Sequence, residues 1–379
     1  MKTMAMSIKF TVTLTIFLLI GVGLAGLFMQ PHVSYDAWNI NKSSFPANAS
    51  SEEKLTFLLS YAILAPSSHN SQPWKFNVSG NQIDIYADKS RWLQYADADK
   101  RELHISLGCA LENLLVAAEH FGYETNVTYL NEGDLVARIR LEQKSLTAQV
   151  PAQAPAQAPA QDSRLIDAIV ARKTNRNAYL DRPVAEADLQ KLQDSAKGFS
   201  KDQGIQFYLT SDPEIRNKFR NLEIVADQTL YADANYKAEL GHWLGQGVMG
   251  PTGVQALATQ LAVVFLDVGP EETRKDAELV NSTPVLGFIS TAENDSISQV
   301  KVGQAFERFW LEATALGISL QPMSQILEVP ETKAELTEIL STGIGGLGYS
   351  GYLQHIFRLG YAEPVEDHSP RRAISEVLI

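Results

Sequence analysis

Ten residues in the first third of the chain, Ala65-Pro-Ser-Ser-His-Asn-Ser-Gln-Pro-Trp74, set four short polar side chains between two prolines: Ser67, Ser68, Asn70 and Gln72. Hydroxyls and amides both donate and accept hydrogen bonds, so this loop can read a heteroaromatic ring edge on which donors and acceptors alternate. The same residues also suit a capped helix end and a turn. A second group, Arg172, Lys173, Thr174 and Arg176, concentrates positive charge in a chain whose formal net charge is -12. Arginines can hold a phosphate through several charge-assisted bonds, with Thr174 adding a hydroxyl. Cations at a helix C-terminus are equally ordinary. Arg371 and Arg372 form a third group, and two basic knots in an acidic chain point to one bound anion. A fourth group, Gln321, Pro322, Met323 and Ser324, follows a helix bearing Phe306, Phe309 and Trp310 and can present backbone groups to a ring edge.

Other patterns fail on context. Gly343-Ile-Gly-Gly-Leu-Gly348 has the GxGxxG spacing. A dinucleotide fingerprint follows a strand and opens a helix, whereas here a helical stretch precedes and a strand follows. The seven histidines do not fall at metal-ligand spacing, so no metal is expected. The single cysteine, Cys109, excludes an intrachain disulfide and a Cys-rich zinc site, and its apolar surroundings make it a core residue. The net charge argues against bulk attraction to nucleic acid.

The elements that must position these groups mix helices and strands without strict alternation, which indicates a layered α+β fold. Helices are expected over 52–64, 103–121, 163–171, from Glu186, and over 302–316. Strands are expected over 74–78, 82–87, 125–129, 135–141, 205–209, 284–290 and 356–362, with a long irregular aromatic stretch before the sixth. Phe10 to Met29 carries no charge and is preceded by Lys2 and Lys9. Twenty such residues span about 30 Å, which predicts an N-terminal transmembrane helix within residues 1–30. The leading lysines place the remainder outside the cytoplasm, on the periplasmic side; a cleaved signal peptide is the alternative. Residues 31–50 read as a tether, 51–147 as a first half, 148–162 as a Pro/Ala/Gln linker and 163–379 as a second half.

Together the four groups resemble the nitroreductase family of FMN proteins. Residues 65–74 match its loop pattern A-P-S-S-x-N-x-Q-P-W throughout; Arg172 to Arg176 look like its phosphate turn, Gln321 to Ser324 its isoalloxazine-edge segment, and Arg371-Arg372 its C-terminal phosphate arginine. The resemblance implies a mainly antiparallel, nitroreductase-like fold and an FMN-dependent oxidoreductase. Electrons would pass from a reduced donor such as NAD(P)H to a nitroaromatic, quinone or similar aromatic acceptor, and no side chain stands out as an obligatory acid or base. The first half has the loop without the arginine turn, and the second half the reverse. That is the layout of the Acg-type subfamily, in which a fused pseudo-dimer holds one flavin. In that subfamily a segment can cover the flavin, and Tyr231 to Trp243, with Gly241, Gly245, Gly247 and Gly250, suits such a lid. A flavin-sequestering protein with little turnover and a membrane-anchored reductive dehalogenase are the competing functions.

Overall fold

Capping residues decide where the first helix starts. Ser50 accepts from the Glu53 amide and donates its own N–H to the Glu53 carboxylate, a capping box that opens α1 (Ser51–Ala62). Pro66 lies just past its end and disfavours helical geometry at Ala65. The computed structural model describes residues 33–144, 160–199, 204–342 and 348–379. Within them two four-stranded antiparallel sheets carry the site. The first contains β1 (Trp74–Ser79), β2 (Gln82–Ala87), β3 (Tyr123–Glu132) and β4 (Leu135–Gln143) in the order β1-β2-β4-β3. The second contains β5 (Ile205–Thr210), β6 (Val285–Thr291), β7 (Ser319–Pro322) and β8 (Tyr352–Gly360) in the order β5-β6-β8-β7.

The two orders are the same, and each sheet has a 20-residue helix between its second and third strands: α2 (Arg101–His120) and α9 (Ser296–Ala315). These helices pack on each other at Gly108 and Gly303, the eighth residue of each. A Cβ on Gly108 would lie 1.9 Å from the Val300 carbonyl, and one on Gly303 2.0 Å from the Ile105 carbonyl. Equivalent glycines touching at equivalent positions are what a duplicated unit packed about a pseudo-twofold axis requires. One continuous core spans the contact, including Trp74, Phe76, Leu107, Phe306, Phe309 and Phe357, with Cys109 buried among them.

The halves differ in one large insertion. The first half turns from β1 to β2 through Gly80 and Asn81. The second half puts four helices at the corresponding place, after α3 (Ala160–Ala171) and α4 (Glu186–Ser195): α5 (Pro213–Ala232), α6 (Ala234–Gly245), α7 (Gly253–Phe265) and α8 (Gly269–Asn281). The sequence suggested an irregular stretch there. Phe219, Leu222, Ala226 and Leu230 instead line one face of α5 at helical spacing and build a second core. Two short helices, α10 (Gln325–Glu328) and α11 (Pro330–Ser341), link β7 to β8. At the C-terminus α12 (Ile374–Val377) returns to the first half, where the Ile379 amide donates to the Phe76 carbonyl at 2.9 Å.

One expectation is corrected. Among the described residues no single helix is long and apolar enough to cross a membrane; the only pair that passes together, α7 with α8, is bent by 104°. The segment expected to span, residues 10–29, lies outside the described residues, as do 145–159, which hold most of the expected linker, and 343–347 of the glycine-rich run. Within the described residues the fold is therefore the α+β assembly, with no helix that could span a membrane. The membrane partner and the single-pass, periplasmic-side topology fall with it, because an apolar run in the sequence is not itself a spanning helix and the same composition occurs in signal sequences.

Candidate functional site

Beyond α1 the chain bends through three left-handed residues, His69 (φ 49°), Asn70 (φ 49°) and Gln72 (φ 51°). Each such non-glycine residue costs on the order of 1–2 kcal/mol, so the surroundings must hold the loop in place. The Asn70 amide nitrogen donates to Val248 at 2.7 Å and to Pro370 at 3.0 Å. The Gln72 amide N–H donates to Ser67 Oγ at 2.9 Å, and its side-chain oxygen accepts from the Arg372 N–H at 2.7 Å. The Ser68 N–H reaches Ser106 Oγ at 3.4 Å.

Two arginines from opposite ends of the second half converge behind this loop. Arg172, the first residue past α3, donates Nη2 to the Leu64 carbonyl at 2.7 Å; Arg371, from the C-terminal tail, donates to the same oxygen at 3.1 Å. Arg371 also donates to Asn70 Oδ1 at 3.0 Å and lies over the Trp38 ring. Arg172 lies over Trp310, 3.3 Å from the buried Glu307 carboxylate. Burial pushes the Glu307 carboxyl up to about 7 against the pull of Arg172, and burial with the Arg172 charge pulls Arg371 down to about 9. Two buried cations thus share one carboxylate that resists ionising; Arg172 Nε is ion-paired with it, and the Nε–H of Arg371 has no hydrogen-bond partner. Such a donor set suits an anion with several oxygens, as a phosphate has.

The remaining expected residues are distributed around this point. Lys173 Nζ holds the Val365 carbonyl at 2.9 Å and the Glu366 carbonyl at 2.6 Å. Thr174 forms a parallel bridge with Leu320, so the arginine turn is joined to β7, which carries Gln321 and Pro322. Gln321 is buried and accepts from Arg358 Nε at 2.8 Å; the Met323 amide donates to Ile356 at 3.0 Å; Ser324 Oγ donates to Glu102 at 3.2 Å. Arg176 is not drawn into the Arg172–Arg371 pair. It is exposed, partial desolvation lowers its pKa against the pull of Asp276, and its charge acts on His69. Arg372 is engaged elsewhere, donating to the Gln72 carbonyl at 3.0 Å, to Asp88 at 3.4 Å and to the Glu376 carbonyl at 2.9 Å.

Sequence reasoning missed Glu307, Trp38, Glu102 and His69. His69 is surrounded by protein, its Nδ1 lacks a partner, and burial with the Arg176 charge lowers its pKa to about 4. It sits at the variable position of the loop pattern, and the others are ordinary helix or tail residues. The lid segment is α6 and the turn after it. Glu239 on α6 accepts from the backbone amides of Gln94, Tyr95 and Ala96, Trp243 lies under Arg91, and the Val248 carbonyl holds Asn70. Two cavities lie elsewhere; one, of about 530 Å³, is lined by Asn126, Arg138 and their neighbours on β3 and β4.

With this geometry in place, part of the chain proves similar to the nitroreductases. Residues 169–344, which hold the arginine turn and Gln321 to Ser324, match the model of the Nitroreductase family. A Mycobacterium tuberculosis protein with the provisional name NAD(P)H nitroreductase Rv3131 is 28% identical over 339 residues, 86% of this chain and 91% of the relative. A second from that organism, provisionally named NAD(P)H nitroreductase acg, is 23% identical over 326 residues, 83% of this chain and 92% of the relative. Among solved structures, a BluB-like flavoprotein from Clostridium difficile gives a TM-score of 0.40 at 16% identity, covering 56% of this chain and 96% of that one. The FMN-dependent nitroreductase NfnB from Mycobacterium smegmatis, in complex with NADPH, gives 0.36 at 16%, covering 56% and 95%. Structural scores this low add nothing to the family match.

Proposed function

We propose that this chain is an Acg-type fused pseudo-dimer that binds one FMN between its halves and transfers two electrons from NADH or NADPH to a nitroaromatic, quinone or similar aromatic acceptor. The observation that carries the reading is the convergence of Arg172 and Arg371 on Leu64, beside the strained loop, with the buried Arg371 Nε–H left unpartnered. In this reading Arg172 and Arg371 hold the phosphate, and Lys173 and Thr174 fix the turn. Arg176 extends the positive field toward the ring, and Arg372 locks Gln72. Ser67, Ser68, Asn70 and Gln72 face the ring, and Gln321, Pro322, Met323 and Ser324 border its edge. Bound FMN supplies the two-electron chemistry; the chain supplies position, charge and shelter from water. The names of the mycobacterial relatives point the same way.

The fastened lid favours a second reading, FMN sequestration with little turnover, because Glu239, Trp243 and Val248 tie the arm of the second half across the first. One experiment tests both. The purified chain is expected to be yellow, to bleach anaerobically with NADPH or NADH, and to recover on adding a nitroaromatic or quinone. Flavin that neither nicotinamide reduces would rule out the oxidoreductase reading and leave sequestration. A chain that binds no FMN would overturn both.

A further inference from the structure

Away from the arginine pair, α5 and α8 bring three carboxylates together. One oxygen each from Glu223, Asp227 and Asp276 lies within 4.8 Å of the other two. Glu223 and Asp227 are one turn apart on α5, so they share a face, and Asp276 meets them from α8. Glu223 is 0% exposed and neither of its oxygens has a partner; Asp227 is 1% exposed with one oxygen unpartnered. Asp276 accepts a single hydrogen bond, from Gln325 Nε2 at 3.1 Å. None of the three enters an ion pair among the described residues. A separate observation points to a ligand. Thr273, one turn before Asp276 on the same face of α8, is 6% exposed and its hydroxyl is also unpartnered. A buried hydroxyl without a partner is costly, as are the two unpartnered oxygens of the fully buried Glu223, one of which faces the other acids.

Buried carboxylates persist only when protonated or neutralised by a cation. Burial and the neighbouring acids push all three carboxyls upward; Arg176 and Arg358 offset this in part at Asp276, and Glu223 and Asp227 have no such cation. The donors are all oxygen, which selects hard divalent cations over zinc or copper. Oxygens on opposite sides of a Ca2+ ion, with ligands at about 2.3–2.6 Å, stand about 4.6–5.2 Å apart, so the observed spread accommodates calcium; Mg2+, at about 2.0–2.1 Å, would draw the ligands closer.

We propose that Glu223, Asp227 and Asp276, with Thr273, form a binding site for one hard divalent cation that ties α5 to α8. Through Gln325 the site also meets the segment after β7. It makes no use of the flavin reading. A pattern of acids one turn apart reads in sequence as a solvated helix face, which is why only the packing of α8 on α5 exposes it.

The test uses the full chain stripped with EDTA and titrated with CaCl2 or MgCl2 at fixed ionic strength. Either ion at about 100 times its dissociation constant should raise Tm by roughly 3–4 °C. Glu223→Gln with Asp227→Asn should fold, since it removes buried charge, and should lose that response. No rise in the wild type, or an equal rise in the variant, overturns the site. Should the double variant fail to fold, Tb3+ luminescence of the wild type decides. Tyr231 and Tyr236, whose hydroxyls feel the Asp227 and Asp276 charges, serve as sensitisers. One Tb3+ per chain displaced by Ca2+ supports the site, and no sensitised emission refutes it.

Discussion

Replacing Arg172 by Met keeps much of the side-chain volume but removes three things: the hydrogen bond to Leu64, the charge beside Glu307 and the contact with Trp310. The consequence for Glu307 can be worked out. In the folded chain its carboxyl stands at about 7, against a usual 4.5. The proton is held more tightly folded than unfolded, so the associated stability is full below about pH 4.5 and is lost as pH rises to about 7. Over that window the loss is about 3 kcal/mol, at roughly 1.4 kcal/mol per unit. Without Arg172 the carboxyl rises further, so Arg172→Met should keep losing stability above pH 7, where the wild type has levelled off, by up to about 1.4 kcal/mol per pH unit. Urea unfolding of FMN-free protein at pH 6, 7, 8 and 9 reads this directly. At pH 6, where Glu307 is mostly protonated and the variant is most secure, FMN affinity is measured separately. Loss of one charge-assisted contact of about 1.5–3 kcal/mol should weaken binding by roughly 10- to 150-fold. Parallel pH profiles for the two proteins would show that Arg172 does not govern Glu307. FMN binding unchanged at pH 6 would remove Arg172 from the phosphate site.

Equilibrium dialysis with absorbance should give one FMN per chain; two would break the composite-site argument, and Arg371→Met should lower affinity by a factor similar to Arg172→Met. Gly108→Ala forces a Cβ to 1.9 Å from the Val300 carbonyl, backbone that cannot swing aside; the thermal midpoint should fall by about 5 °C or more, and an unchanged midpoint would refute the close crossing of α2 and α9. Glu239→Ala frees the amides of Gln94 to Ala96; if the arm restricts access, stopped-flow flavin reduction by NADPH should quicken several-fold, and an unchanged rate would mean the arm does not gate the site.

Much of the local structure was legible because its signals are local. Ser50 and Glu53 open α1, Pro66 follows its end, and alternating apolar residues mark β2 (Ile83, Ile85, Ala87) and β4 (Ala137, Ile139, Leu141). The loop 65–74 stood out because its polar residues lie between prolines, yet its left-handed turn depends on Val248 and Pro370, distant in sequence. Helices α5 to α8 were missed because their apolar positions are mixed with aromatics and glycines, and only the second core reveals the period. β7 has four residues, too few for alternation to show. Glu307 and Glu102 carry no sequence signal of their own; only the packing of the folded chain buries them. The apolar N-terminal run carried a membrane reading that the described structure does not sustain.

The duplication explains why the site cannot belong to either half alone. Both halves keep the same sheet order and the same helix crossing, so a pseudo-twofold axis would give two equivalent positions for a cleft. Around one of them the first half supplies the strained loop, while the second supplies Arg172 from the end of α3 and Arg371 from the tail. The tail completes the asymmetry. Arg371 and Arg372 grip Asn70 and Gln72, and Ile379 then pairs with Phe76 on β1, so the last residues of the second half become part of the first. The insertion works in the same direction, since the arm that replaces the Gly80–Asn81 turn reaches across to Gln94 and Asn70. Each departure from symmetry strengthens the same cleft. A fused duplication in which one cleft keeps both ligand sets would evolve this way, because a single chain fixes which half meets which and lets the unused cleft drift.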